Sequence, residues 1–350
     1  MTEGLRPALW PWLQQPLTEA LSQLRSHAAL LHGPDGVGQF EFALALARAW
    51  LCEARPAGAP AAPACGRCAS CHLVEAGSHP DLMVILPEAL QGSLGWGSAA
   101  GEEGSDSERA GKARKPSQEI KVDAIRQVVQ FSHHTASRGR AKVVLVHPVE
   151  RMNLIAANTL LKTLEEPPGQ VRFVLSGAAL DQLLPTVRSR CQAWRLSLPE
   201  ADVAARWLCD VVDGLDQTGA EVLLAAAGGQ PLTARDRHAM GIDARLWAQL
   251  PKAIAQGESG LVSGWPLPLL IETLQKICHD LACAAVGAAP RFFPAASLPS
   301  VSDLDRLTAW GQELRKASRH AEHPWNAGLK VEGLLIQARA ALASRSRPAR

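Results

Sequence analysis

A chain of 350 residues is long enough for two or three domains, each with its own core. With 47% hydrophobic and 20% charged residues and a formal net charge of +2, it is composed like an ordinary globular protein. It has no basic excess to mark a nucleic-acid or membrane surface.

The opening, MTEGLRPALWPW, has no basic segment leading into a long apolar core. Later apolar stretches are broken by charge, Pro or Gly well short of the ~20 residues a membrane span needs. A cytoplasmic protein is therefore expected. Trp10 and Trp12 are expected to pack on their own domain, as amphipathic aromatics near a terminus commonly do. The apolar run Ala28–Leu31 reads as a first strand and leads into Gly33-Pro34-Asp35-Gly36-Val37-Gly38, followed by a helical pattern. Such a loop lets backbone N–H groups approach phosphates, and is completed by a Lys and by a Ser or Thr that binds Mg²⁺. Here Gln39 and Phe40 stand at those two positions.

Four of the eight cysteines follow in one short segment, Cys52, Cys65, Cys68 and Cys71. Thiolates at CxxC spacing converge on one tetrahedral Zn²⁺, with Zn–S near ~2.3 Å. The intervening RPAGAPAAPA can loop out, so a structural zinc is expected with no position left for an activated water. His72 is left out of the ligand set. Cys191, Cys209, Cys278 and Cys283 are assigned to packing.

The second strand is expected at Leu82–Leu86, and a Gly- and Ser-rich insertion of mixed charge, Gln91 to Gln118, then reads as a mobile loop. Helical periodicity resumes from Ile120 to Val129, and the adjacent pair His133-His134 is expected to be solvated. A third strand, Val143–Val146, precedes a helix from Asn153 to Glu166 that Pro167-Pro168 ends. Strands at Arg172–Ser176 and Ala193–Leu196 complete an α/β pattern of a parallel sheet covered by helices. Beyond about residue 198 only helical patterns remain, and the tail ASRSRPAR reads as frayed.

The stretches CGRCASCHLVEAGSHPDL, IKVDAIRQV, AANTLLKTLEEPP and LPTVRSRCQ together resemble the bacterial clamp-loader subunits of the AAA+ class. That family comprises the tau/gamma ATPase and the delta prime branches of the DNA polymerase III holoenzyme. The resemblance spans roughly residues 5 to 240. It implies an AAA+ domain over 1–197 with the zinc module at 52–71, a helical lid at 198–243 and, by position alone, a helical collar at 244–350.

The ATPase members carry two acids directly after the third strand, where this chain has His147 and Pro148. Glu150, two residues on, is not expected to substitute. The lid stretch AGGQPLTA places Leu232 where those enzymes have an Arg. Several losses from one reaction point to the non-hydrolysing delta prime branch, with Gly33, Gly36, Gly38, Gln39 and Phe40 a degenerate remnant.

In this family a Ser-Arg-Cys motif faces the neighbouring subunit, and here it is Ser189-Arg190-Cys191. The resemblance makes Arg190 an arginine finger acting in trans on the neighbour's ATP. The residues themselves show no partner for Arg190 or for nearby Arg188. For Lys162, Glu165 and Glu166, helix-end packing is as good a reading as catalysis. The implied partners are tau/gamma and delta subunits and, through the complex, the sliding clamp and primed DNA. One alternative is a divergent ATP-binding tau/gamma-type subunit. Another is a zinc-containing nucleic-acid module, which would need more than the single Arg in CGRCASC.

Overall fold

The computed structural model describes residues 9–54, 62–96, 116–300, 303–320 and 327–343. Most of the expected insertion (97–115), part of the linker between Cys52 and Cys65 (55–61) and nearly all of the tail (344–350) lie outside the described residues. The chain divides into two compact units, Met1–Leu198 and Pro199–Arg350.

In chain order the first unit contains α1 (Pro11–Gln23), β1 (Ala28–His32), α2 (Gln39–Leu51), α3 (Ala69–Glu75), β2 (Leu82–Ile85) and α4 (Glu88–Gln91). It continues with α5 (Val122–His133), β3 (Lys142–Val146), α6 (Leu154–Glu165), β4 (Val171–Gly177), α7 (Pro185–Arg188) and β5 (Gln192–Arg195). The β-branched and aliphatic runs fall on strands within a residue or so of expectation. The last strand ends one residue early, yet Leu196 still donates its N–H to His32 O at 2.7 Å.

The five strands are all parallel, in the order β2-β3-β4-β1-β5. β1 therefore lies between β4 and β5, with Ala28 opposite Phe173 and Ala29 opposite Gln192. Every residue of β3 is buried, as a strand covered on both faces requires. Helix α6 is capped by the Asn153 side chain, which accepts from Ala156 N, and buries Ala156, Ala157, Leu160 and Leu164. The strand order brings the exits of β1, β4 and β3 side by side, the place where open α/β sheets bind ligands.

The second unit is helical: α8 (Ala201–Val211), α9 (Gln217–Ala226), α10 (Pro231–Ala239), α11 (Ala244–Gln256), α12 (Leu267–Ala285), α13 (Leu304–Arg319) and α14 (Ala327–Leu342). Asp216, Asp243 and Asp303 each cap a helix by accepting a backbone N–H from the first turn. The core centres on Trp247, stacked on Phe293 with ring centroids 4.6 Å apart, and Leu232 lies in the first turn of α10. No described helix is long and apolar enough to cross a membrane.

Candidate functional site

Three features gather the chemistry of the first unit: the loop between β1 and α2, the four cysteines, and the turn after α7. Two of the loop glycines, Gly33 and Gly38, answer to close packing. A Cβ on Gly33 would stand 2.2 Å from Leu196 O. At Gly38, with φ +97°, a Cβ would stand 2.3 Å from the Trp10 ring. Trp10 stacks on Trp12, whose indole N–H donates to Val37 O at 2.9 Å. The N-terminal helix is thus fastened over the loop.

Gln39 is 6% exposed and turns back into the loop, donating from Nε2 to Gly33 O at 3.0 Å and Pro34 O at 2.5 Å. Phe40 is buried with its ring 5.5 Å from His147 and edge-on to Trp96 at 6.3 Å. His147 sits at the β3 exit with Nδ1 3.0 Å from Ser176 Oγ. Burial pushes its pKa down to about 4, so the ring is neutral near pH 7. The next residue, Pro148, has no side-chain donor for a metal.

Glu150 bridges the strand exits: Oε1 accepts from Ala178 N at 2.9 Å and Ala179 N at 3.4 Å, and its other oxygen is buried without a partner. Burial first, then the charge of Glu150, raises the pKa of Asp35 in the loop, with Arg151 opposing. Two backbone carbonyls, the carboxyl groups of Asp35 and Glu150 and an aromatic wall therefore gather around this loop.

The four cysteines form the opposite case. Cys52 caps the end of α2, Cys68 precedes the first turn of α3, and Cys71 lies within it. All four sulfurs lie within 4.8 Å of one another. The Cys52–Cys68 and Cys65–Cys71 pairs are each 4.0 Å apart. A tetrahedral ion with bonds of ~2.3 Å separates its ligands by about 3.8 Å, so the set fits one soft divalent cation. Burial pushes the Cys71 thiol up to about 12, whereas the Arg67 backbone N–H donating to Cys65 holds that thiol down to about 6. A bound cation would draw all four into the thiolate form. His72, 64% exposed, stands outside the cluster.

Residues absent from the sequence reading support this module. Glu53 accepts from Arg138 Nε at 2.7 Å and from Ser70 N at 3.4 Å. Ser70 Oγ also receives Arg138 Nε and lies 3.0 Å from His79 Nε2. His79 Nδ1 accepts Asp81 N, so its proton is on Nε2 and is donated to Ser70. The quoted stretch SHPDL contained two of these residues, but nothing in it revealed Arg138.

At the third feature, Arg190 is not unpartnered, which corrects the sequence reading. Its Nε donates to Glu165 Oε1 at 2.6 Å, and Nη2 contacts the same oxygen. Its Nη1 donates to Thr186 O at 2.8 Å and to Ser189 Oγ at 3.3 Å. Residues 165 and 190 meet because α6 and α7 pack together, a contact that sequence spacing does not reveal. Burial pushes the Cys191 thiol up to about 12 and makes it a packing group.

A family profile described as "DNA polymerase III, delta subunit" matches residues 12–200. The DNA polymerase III subunit delta' of Pseudomonas aeruginosa is 38% identical over 75% of this chain and 74% of its own. Its counterpart in Escherichia coli is 32% identical over 63% of this chain, which spans 58% of that protein. Among solved structures, a gamma subunit-related protein of Thermotoga maritima covers 95% of this chain and 100% of its own at 16% identity, with a TM-score of 0.49.

Proposed function

The chain belongs to the DNA polymerase III delta-subunit family, and from that premise we propose that it is a non-hydrolysing, delta prime-type subunit of the bacterial clamp loader. One contrast carries the reading. The phosphate cradle is filled by Gln39 and Phe40, while Arg190 stands at the surface 31% exposed. Phosphoryl transfer needs a cation at the β/γ-phosphates, a Mg²⁺ ligand and a carboxylate at the strand end, and the positions for all three hold other groups. A finger Arg needs only to project toward a neighbour.

In the assembled loader, Arg190 would enter the ATP site of a tau/gamma-type neighbour. Its planar guanidinium would stabilise charge developing on the γ-phosphate, with Ser189 and Thr186 O orienting its Nη1 edge. Zinc is the cation we assign to Cys52, Cys65, Cys68 and Cys71. Four thiolates close its shell, so it ties α2 to α3 and activates no water. The division into 1–197, a lid at 198–243 and a collar at 244–350 belongs to the same proposal. So do a delta partner, the sliding clamp and primed DNA reached through the complex, and a cytoplasmic location. In the competing reading, a tau/gamma-type subunit that still binds ATP, Gln39 would have to release two loop carbonyls so that a phosphate could sit beside Asp35 and Glu150.

The test is Arg190→Ala in the reconstituted loader. Assembly should survive, and turnover at the affected site should fall on the order of 10³-fold, with a smaller loss for the whole assembly because other sites keep their own arginines. Arg188→Ala should do little by comparison. Wild-type hydrolysis and clamp loading by the Arg190→Ala loader would overturn the trans-acting role.

A further inference from the structure

The contacts of Arg190 divide its guanidinium into two edges. Nη1 is held by the residue's own turn, through Thr186 O at 2.8 Å and Ser189 Oγ at 3.3 Å. These contacts orient the plane without help from any other element. The other edge, Nε and Nη2, is the fork with which an arginine grips a carboxylate or phosphate in two parallel bonds. That edge is taken: both nitrogens point to one oxygen, Oε1 of Glu165, the last residue of α6.

We propose that Glu165 is a positioning residue that competes with the neighbour's γ-phosphate for the Nε/Nη2 edge of Arg190. It keeps the finger folded on its own subunit until a triphosphate displaces it. The proposal rests on the trans-acting role of Arg190 given above.

The pair is suited to letting go. Glu165 is 44% exposed and Arg190 31%, so water and salt screen the attraction, and the exposed pair is weak. Only one carboxylate oxygen is engaged by the guanidinium. A γ-phosphate brings more charge and oxygens for both nitrogens, in a site closed off from water by two subunits. Releasing Glu165 then costs the loader about two- to fivefold in apparent affinity for ATP. Nη1 stays where the turn holds it, so the swap needs no rearrangement of the backbone.

The experiment uses the reconstituted loader carrying Glu165→Gln, Arg190→Ala or both, with ATP, clamp and primed DNA. Gln keeps the length and one acceptor oxygen, removes the charge and exchanges the second oxygen for an NH2 donor. The share of turnover that Arg190 supplies is the difference between the wild-type and Arg190→Ala loaders. For that share, Glu165→Gln should lower the KM for ATP two- to fivefold and leave kcat within about twofold. Raising salt should shrink the gain, because screening already weakens the wild-type pair. In the Arg190→Ala background Glu165→Gln should change nothing. An unchanged or raised KM with a lower kcat would make Glu165 a prop for the finger and overturn the competition. An effect that persists without Arg190 would overturn it as well. If Arg190→Ala alone leaves the loader unaffected, the finger role itself fails, a result distinct from either of these.

Discussion

The two ends of α2 tell opposite stories. Gln39 begins the helix with its side chain turned into the loop, and Cys52 caps its far end as one of four cysteines close enough to hold a metal ion. At the cysteine end the four sulfurs converge. At the loop end the side chains turn into packing, Gln39 onto loop carbonyls and Phe40 against His147. The difference lies in how each site is built. The cysteines come from one short segment and are useful only together, so loss of one disables the rest. The loop end draws on α2 and the exits of β3 and β4, each already engaged in packing: Phe40 against His147, His147 against Ser176, Glu150 across to Ala178.

The contrast is most severely tested at the cysteines. Cys68→Ser should lose the ion and several kcal/mol of stability, since small isolated zinc modules draw about 10–16 kcal/mol of apparent energy from the metal. The thermal midpoint should drop by roughly 10 °C, and metal analysis of the wild type should find about one zinc per chain. Metal-free protein with an unchanged midpoint would erase the distinction between the two ends.

Gly38→Ala asks whether the loop now serves packing. The residue has φ +97°, and its Cβ would press on Trp10, so a loss of roughly 2–4 kcal/mol is expected in denaturant unfolding. A loss below about 0.5 kcal/mol would show that Trp10 gives way freely.

Acid titration tests how deeply His147 is buried. The folded pKa of His147, about 4, lies below its ordinary 6.5, so the fold favours the neutral ring. Its contribution is complete above pH 6.5 and is lost as pH falls toward 4, up to about 3 kcal/mol. His147→Gln should flatten the stability profile across that window, and an unchanged slope would count against the assignment.

The smallest effect is expected from Gln39→Lys. Stability should shift by about 1 kcal/mol or less, and ATP hydrolysis should stay at background because the Mg²⁺ ligands are still missing. Measurable turnover would show that the cradle needs only its cation.

The strands were legible because apolar β-branched runs such as KVVLV have few other uses in a globular chain, and strand β3 is buried along its whole length. The cysteines were legible because ligand spacing is local. What stayed hidden was long-range. Phe40, Trp96 and His147 form one aromatic wall only after the sheet order is known. Likewise Glu165 and Arg190 lie 25 positions apart, and Arg138 reaches Glu53 across 85. Periodicity reports which face of an element is buried, not which other element covers it.

Asp81 has a consequence for how the molecule opens. Fully buried, it accepts from Ser137 N at 2.7 Å and Arg138 N at 2.9 Å, and its own N–H reaches the His79–Ser70 pair beside the cysteines. Its carbonyl receives Val143 N, the entry to β3. Fluctuations that loosen the cysteine module must therefore disturb a hub that also closes the sheet. Amide protons around Val143 and Ser137 are therefore expected to exchange together with the amides of α3, as one cooperative element instead of two that fray separately.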